Sequence, residues 1–567
     1  MDDLKKENSQ AEAKALDGYS DGSDEKKAPV ENAEEVSAPE GAHVDEEGIL
    51  EFDDSNASKI DKFFGVTKYG STIKTEIIAG LVTFLAMCYI LTVNPNNIIG
   101  NIAGLEGVQA YTWASIFIAT AFGAIIGTLL MAFVAKMPFA QASGLGLNSM
   151  IFTLMIGVTV SGKFFSFGTT MLMVLISGVL FLIISLVPIG KDKETGKYIT
   201  LREKIFDGMP VAVRKAISVG IGLFIAFIGL QNAGVIAASP FTKVTLVEFN
   251  NPASWNIDYA NIANTGPALG AIVALFGFVV IAVLSHFKVK GAIIIGMIAA
   301  TLLAWPLGVT SIDVLAGKNA GVSWKFWENF AHYFSDPKDG GVFFAAFRDV
   351  NFPEGTFMSV VMVIITFCMI DMFDTMGTVV GCATNAGLVD KNGKPHNYNK
   401  IMISDSIATV TGALLGTSTV TTFVESGAGI AAGGKTGLTA LSTACLFFLA
   451  IFLLPLFAFI PSAACASALL YVGVLMMGNV KDIDFKDPLN AVPAFVTIIM
   501  MPLAYSITNG IGMGIITYVL INCIAYVVKF CLYKAGKIEE KPVWNISVVA
   551  LVITALFLVY FFVPVSF

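Results

Sequence analysis

Three acidic side chains and an amide stand out for chemistry. Asp371 and Asp374 sit three residues apart in the apolar run Phe367-Cys-Met-Ile-Asp-Met-Phe-Asp-Thr-Met-Gly-Thr378. That spacing puts both carboxyls on roughly one face of a helix, where two close acids can share a proton. Glu425 opens the Gly-rich run Glu425-Ser426-Gly427-Ala-Gly429, where a helix start favours a negative charge. Asn148 follows a similar run, Gly144-Leu-Gly-Leu. An ionisable group inside a membrane span is costly and is a functional candidate by default. A carboxylate accepts hydrogen bonds only when ionised, so these groups suit a ligand rich in N–H donors. They also suit uptake of a proton, and Asp374, Glu425 and Asp371 are the candidate proton-coupling groups. Phe373 and Phe423 flank the acids and offer faces for stacking on a ring. Substrate contact is therefore expected at Glu425, Asp374, Asn148, Phe423, Ser426 and Gly427.

The rest of the chain must hold these groups in lipid. Of 567 residues, 55% are hydrophobic and 14% charged, and the mean hydropathy is +0.74. A soluble domain carries about 25% charged residues. This composition excludes a soluble enzyme, a nucleic-acid binder and a disordered chain. Residues 1–62 contain 19 acids and 7 bases, leaving 43 − 19 = 24 acids and 35 − 7 = 28 bases elsewhere. The acidic balance thus belongs to a polar tail, expected to be disordered and cytoplasmic. The tail lacks the basic start and apolar core of a signal peptide, so the first span is expected to insert as an internal anchor.

Charge-poor runs long enough to cross a bilayer lie near 77–95, 111–135, 143–159, 168–189, 211–231, 266–285, 290–308, 356–380, 399–416, 425–434, 436–459, 461–479, 488–507 and 510–529. A further apolar run, 543–564, has no assigned placement. Basic residues fall in alternate loops, at Lys136, Lys191 to Lys215, Lys288 and Lys290, Lys391 to Lys400, Lys481 and Lys486, and Lys529 to Lys541. This matches a cytoplasmic N-terminus under the positive-inside bias. The 309–355 loop, with four bases, is a weak exception.

The third and tenth spans are short and Gly-rich and follow extended or turn-forming residues. The fifth and twelfth both start with Pro and small residues, at Pro210 and Pro461. Fourteen spans then divide into two inverted repeats of seven. Broken spans at matching places in two halves point to a transporter binding site. The expected fold is an all-α polytopic membrane protein with about 14 transmembrane segments in 7+7 inverted repeats, and short extended pieces before spans three and ten. The expected divisions are a tail (1–62), a first repeat (63–308), an extracellular loop (309–355), a second repeat (356–535) and a C-terminal segment (536–567). Four His lie in the tail or loops, and seven Cys show no paired spacing. Neither pattern suggests a metal, a cofactor or a disulfide framework.

An intramembrane aspartyl enzyme would need two Asp on facing spans, whereas Asp371 and Asp374 share one. An anion transporter or channel on a similar fold would want a neutral or cationic site, whereas this one is acidic. The enzyme is disfavoured, and the anion transporter on a similar fold stays open as the less favoured alternative.

The motifs resemble the nucleobase/ascorbate transporter superfamily, most closely its AzgA-like branch of adenine/guanine/hypoxanthine permeases. The resemblance spans residues 64–535. It rests on Thr75 to Ile90 with Asn94-Pro95, Gly144 to Asn148, Asp371 to Thr378, and Thr417 to Leu438. It implies core and gate domains, proton-coupled purine uptake, and base-binding roles for Glu425, Asp374 and Asn148. Purine base, proton and membrane lipid are the expected partners, with a homodimer as a candidate assembly. Two departures stand out: Ser143 where the branch commonly has Pro, and Lys435 where Arg is usual. The resemblance leaves open which other nucleobase, uracil or xanthine, could be the cargo instead.

Overall fold

The computed structural model describes residues 42–44, 50–55, 57–99, 108–155, 163–191, 198–239, 242–257, 265–289, 291–315, 322–389, 395–537 and 540–562. Most of the expected tail, residues 1–41 and 45–49, lies outside these. Its end does not behave as a disordered tail. Lys59–Phe64 is a short helix capped by Ser58, and Phe64 and Val66 bury themselves against Leu438.

Long apolar helices dominate. In chain order they are α1 (Ile73–Met87) and α2 (Ile90–Ile99), separated by a turn at Cys88–Tyr89, then α3 (Val108–Leu130). A three-residue strand β1 (Gln141–Ser143) leads into the short α4 (Leu145–Met155). Next come α5 (Phe167–Leu186), α6 (Val211–Asn232), α7 (Pro267–His286) and α8 (Ala292–Ala304). The second half opens with α9 (Phe357–Ala386) and α10 (Tyr398–Leu415). Strand β2 (Val420–Thr422) then leads into the very short α11 (Ser426–Ala431). Four further helices follow: α12 (Gly437–Ile451), α13 (Ser462–Met477), α14 (Pro488–Leu503) and α15 (Ile507–Lys534). A last helix, α16 (Val548–Phe562), lies along α15 and against the Leu201–Gly208 helix. Among the described residues, eight helical segments are long and apolar enough to cross a membrane, with shorter apolar helices beside them. All fourteen expected spans therefore have a helical counterpart, and the third and tenth are half-helices after extended backbone, as their sequence implied. One local expectation fails. The first span runs past its expected end at residue 95, because α2 continues through Pro95 to Ile99.

The packing repeats itself between the halves. The contact of α5 with α10 is echoed by that of α12 with α3; α7 on α13 is echoed by α14 on α6; and α7 beside α8 is echoed by α14 beside α15. The helices α1–α5 and α9–α12 gather around the two strands, while α6–α8 and α13–α15 pack mainly on one another.

At the centre, β1 and β2 pair antiparallel, with Gln141 opposite Thr422, Ala142 opposite Thr421 and Ser143 opposite Val420. Extended backbone at membrane depth must be buried in protein or line a cavity. Here α3 and α10 cover the strands, and glycines allow the approach. A Cβ on Gly127 would lie 2.8 Å from Gln141 Oε1, and one on Gly412 would lie 2.6 Å from Val420 Cγ2 and 2.7 Å from the Ser418 carbonyl. Farther out, buried Glu76 on α1 accepts hydrogen bonds from the Lys435, Thr436 and Thr439 amides and from the Thr436 and Thr439 hydroxyls. It thereby caps the start of α12 and ties it to the first repeat.

Gly412→Ala puts a methyl group into the backbone of the strand segment, and overpacking of this kind costs about 1–3 kcal/mol. The melting temperature of the purified protein is expected to fall for Gly412→Ala. It is expected to hold for Gly427→Ala, whose added Cβ would meet only Cys382 Sγ, at 4.0 Å.

Candidate functional site

The strand pair sets the site because each strand ends where a half-helix starts. Between these ends and the second helix group lies a cleft. It is lined by Gly144 and Leu145 at the start of α4, Thr421 to Glu425 at the end of β2, and Asp374 and Thr378 on α9. Its opposite wall is apolar, formed by Ile221 and Ile225 of α6 and Val472 and Met476 of α13. The cavity volume is about 40 Å³, below the ~300–1,000 Å³ of open small-molecule sites, so the cleft must widen to admit a ring.

Glu425 is buried, and its carboxylate does not cap its own helix. Instead Oε1 accepts a 2.6 Å hydrogen bond from the Tyr89 hydroxyl. Tyr89, itself buried, sits in the turn between α1 and α2. The bond fixes one oxygen and leaves the carboxylate further acceptor capacity. Asp374 lines the same cleft and, among the described residues, has no hydrogen-bond partner. Thr378 is one turn further along α9. Phe423 lines the cleft, and its amide is held by the Ala140 carbonyl at 3.0 Å. The structure thus brings Glu425, Asp374 and Phe423 together. The side chain of Phe373 lies outside the described residues.

Three other expected contacts are placed elsewhere. Asn148 is fully buried behind the strands, where Oδ1 accepts from the Ser143 hydroxyl at 3.1 Å and from the Ser418 hydroxyl. Asn148 is therefore a link between the half-helix and the opposite strand. Ser143, the departure from the expected Pro, supplies a donor to that link that Pro could not. Ser426 turns its hydroxyl to the Ala140 amide, 3.0 Å away, and so pins α11 to the approach of β1. Gly427 stands beside Cys382 and does not line the cleft. Asp371 is also absent from the cleft: it is buried between α9 and α10, and its Oδ2 accepts from the Thr409 hydroxyl at 2.7 Å.

The two half-helices differ at their ends. In α11 the first three amides turn back on the Phe423, Val424 and Glu425 carbonyls, so that end presents its carboxylate more than its N–H groups. In α4 the first turn begins at Leu145, which lines the cleft, and the opening amides of a helix have no intrahelical partner. The cleft thus combines two acceptor carboxylates with donors from one helix start.

The sequence reading missed four polar residues of this core. Tyr89 lay inside a motif but gave no sign of its partner, 336 residues away. Asp405 on α10 is fully buried and accepts from Gln141 Nε2 at 2.6 Å and Thr375 Oγ1 at 2.7 Å. An acid inside the expected 399–416 span was a readable signal that the sequence reading passed over. Glu76 and Arg202 sit at segment ends, where a charge looks solvated.

The chain is similar to several known proteins. A family model described as "Permease family", Xan_ur_permease, matches residues 74–513. A guanine/hypoxanthine permease of Bacillus subtilis, PbuO, is 37% identical over 81% of this chain and 94% of its own length. An adenine permease of Escherichia coli, AdeP, is 33% identical over 82% of this chain and 90% of its own. In fold, the chain is similar to a murine anion transporter of the Solute Carrier 26 family, member A9, in its inward-facing state. That match has a TM-score of 0.50 and 13% identity, covering 83% of this chain and 73% of the other. The chain is a multi-pass membrane protein that belongs to this permease family, the nucleobase/ascorbate transporters.

Proposed function

We propose that the protein takes up purine bases (adenine, guanine or hypoxanthine) across the cell membrane together with protons, with its N-terminus in the cytoplasm. The observation that carries this reading is the pair of carboxylates, Glu425 and Asp374, on one cleft with an apolar opposite wall. A purine is a flat ring with N–H donors at its edge. The carboxylates accept those N–H groups, Phe423 and the α6/α13 wall cover the ring faces, and the start of α4 meets ring acceptors. The guanine/hypoxanthine and adenine permeases at 37% and 33% identity support the same cargo.

The cleft lies where the strand-centred helix group meets the α6–α8 and α13–α15 group. Rocking of the first group against the second, as core against gate, exposes the cleft to each side in turn. An acidic residue of the eighth or tenth span takes up the proton. An acidic cleft with no Arg or Lys in its lining disfavours an anionic cargo.

Uptake of labelled adenine, guanine and hypoxanthine in transport-deficient cells tests the reading. Glu425→Gln and Asp374→Asn each keep the shape but remove an ionised acceptor. A hydrogen bond to a charged group is worth about 1.5–3 kcal/mol, so each variant is expected to lose about tenfold to a hundredfold in uptake at low substrate. Wild-type uptake by both variants, with normal membrane insertion, would remove the site assignment. Tyr89→Phe leaves Glu425 in place but frees its Oε1. It is expected to weaken apparent affinity by a smaller factor, about threefold to tenfold, read as a raised KM in the same assay.

A further inference from the structure

Beside the strand pair, but not in the lining of the cleft, lie two more buried carboxyls. Asp371 on α9 and Asp405 on α10 are both essentially unexposed, and each acts electrostatically on the other or on its neighbours. Their hydrogen bonds are unequal. Asp405 has donors on both oxygens: Gln141 Nε2 at 2.6 Å and Thr422 Oγ1 at 3.4 Å on Oδ1, and Thr375 Oγ1 at 2.7 Å on Oδ2. That is the surrounding an ionised carboxylate needs.

Asp371 has the opposite surrounding. Its Oδ1 is buried with no partner. Its Oδ2 is 2.7 Å from Thr409 Oγ1, which is also 3.2 Å from the Val420 carbonyl. A hydroxyl carries one hydrogen and a carbonyl only accepts. With Asp371 ionised, Thr409 can serve one of these acceptors and the other goes without. With a proton on Oδ2, Asp371 donates to Thr409, Thr409 donates to Val420, and both contacts are hydrogen bonds.

A third group acts on Asp405. Arg202 lies on the Leu201–Gly208 helix, which joins α5 of the first helix group to α6 of the second. It is fully buried, none of its guanidinium nitrogens has a hydrogen-bond partner among the described residues, and its charge neighbours there are Tyr398, Glu203 and Asp405. Its guanidinium stands 4.8 Å from the centre of the Tyr398 ring. Among the described residues, the other titratable groups near the pair are Asp374 and Cys368 on α9. The strands contribute only Gln141, Val420 and Thr422.

We propose that Asp371 and Asp405 form a proton-binding pair separate from the purine cleft, carrying the one coupling proton, with Arg202 as its counter-charge. The proposal rests on the purine-permease reading and says where that proton sits. An O–H bond forms at Asp371 with a proton from the side to which the protein is open, and it breaks to release the proton on the other side. With the proton bound, Asp405 and Arg202 balance and the trio is neutral. Without it, one net negative charge is buried, which is costly in lipid. Val420 belongs to β2, whose far end carries Glu425, so the Asp371–Thr409–Val420 chain connects the proton to the substrate side. The position of Arg202 lets the segment joining the two helix groups respond to the charge of the pair.

The test uses the full-length protein in liposomes, with labelled hypoxanthine. Three quantities are measured: exchange of hypoxanthine at equal pH, uphill accumulation driven by a pH gradient, and proton entry reported by a pH-sensitive dye. Asp371→Asn mimics the protonated state permanently. It is expected to keep exchange while accumulation falls to the equilibrium ratio and proton entry is lost. Arg202→Gln removes the charge that favours the ionised pair, so the pH midpoint of accumulation is expected to move up by about one unit. A merely structural Arg202 would change the rate and leave the midpoint alone. Uphill accumulation and proton entry by Asp371→Asn would overturn the proposal while sparing the purine reading. If that variant does not fold, an unmoved midpoint in Arg202→Gln does the same. Absence of hypoxanthine exchange in the wild-type protein would instead defeat the purine reading, and this proposal with it.

Discussion

Backbone amides and carbonyls cannot be left unpaired in hydrocarbon, and this constraint shapes the middle of the molecule. Two spans are broken there, and each leaves extended chain at membrane depth. The antiparallel pairing of Gln141–Ser143 with Val420–Thr422 meets the need, since each strand satisfies the other. Everything at the site follows from that pairing. It joins the two repeats across about 280 residues of sequence, aims the start of α4 at the cleft, and delivers Phe423 and Glu425 directly after β2.

Side chains reinforce the pairing from behind. Asn94 on α2 donates to Thr120 and Thr417, at 2.7 and 2.9 Å. Asn148 and Ser143 join Ser418, and Gln141 reaches Asp405. Buried polar networks of this kind specify one arrangement when their members find partners. Several buried atoms lack a partner all the same, among them Asn94 Oδ1, Gln141 Oε1, Asn148 Nδ2, Asp371 Oδ1 and the Arg202 guanidinium; of those named, only Asp371 and Arg202 are ionisable. Neither residue lines the cleft.

Much of this was legible in the sequence because the physics is local. Span lengths follow from hydropathy. The broken spans follow from Gly-rich runs at matching places, and their positions led to Glu425. Asp374 declared itself as a charge inside an apolar run. Partner identity was not legible. Asn148 carries an amide at a half-helix, which reads as a substrate contact, yet the strand register aims it at Ser418. Ser426 follows Glu425 directly and still turns to Ala140. Asp371 and Asp374 share a helix face by spacing alone, but α10 and β2 take up Asp371 while the cleft receives Asp374. Such assignments depend on contacts between residues 38 to 286 positions apart, which periodicity does not encode.

The central claim is that Glu425 and Asp374 hold the ring N–H groups of a purine. Competition for uptake by ring-methylated bases tests it most directly, with hypoxanthine compared against its N1- and N9-methyl forms in cells lacking other purine permeases. A site built around such hydrogen bonds rejects a ligand that lacks the donor by large factors. The account predicts at least about a hundredfold weaker competition by a methylated base. Equal competition by parent and methylated bases would contradict it, because the carboxylates would then have nothing to accept.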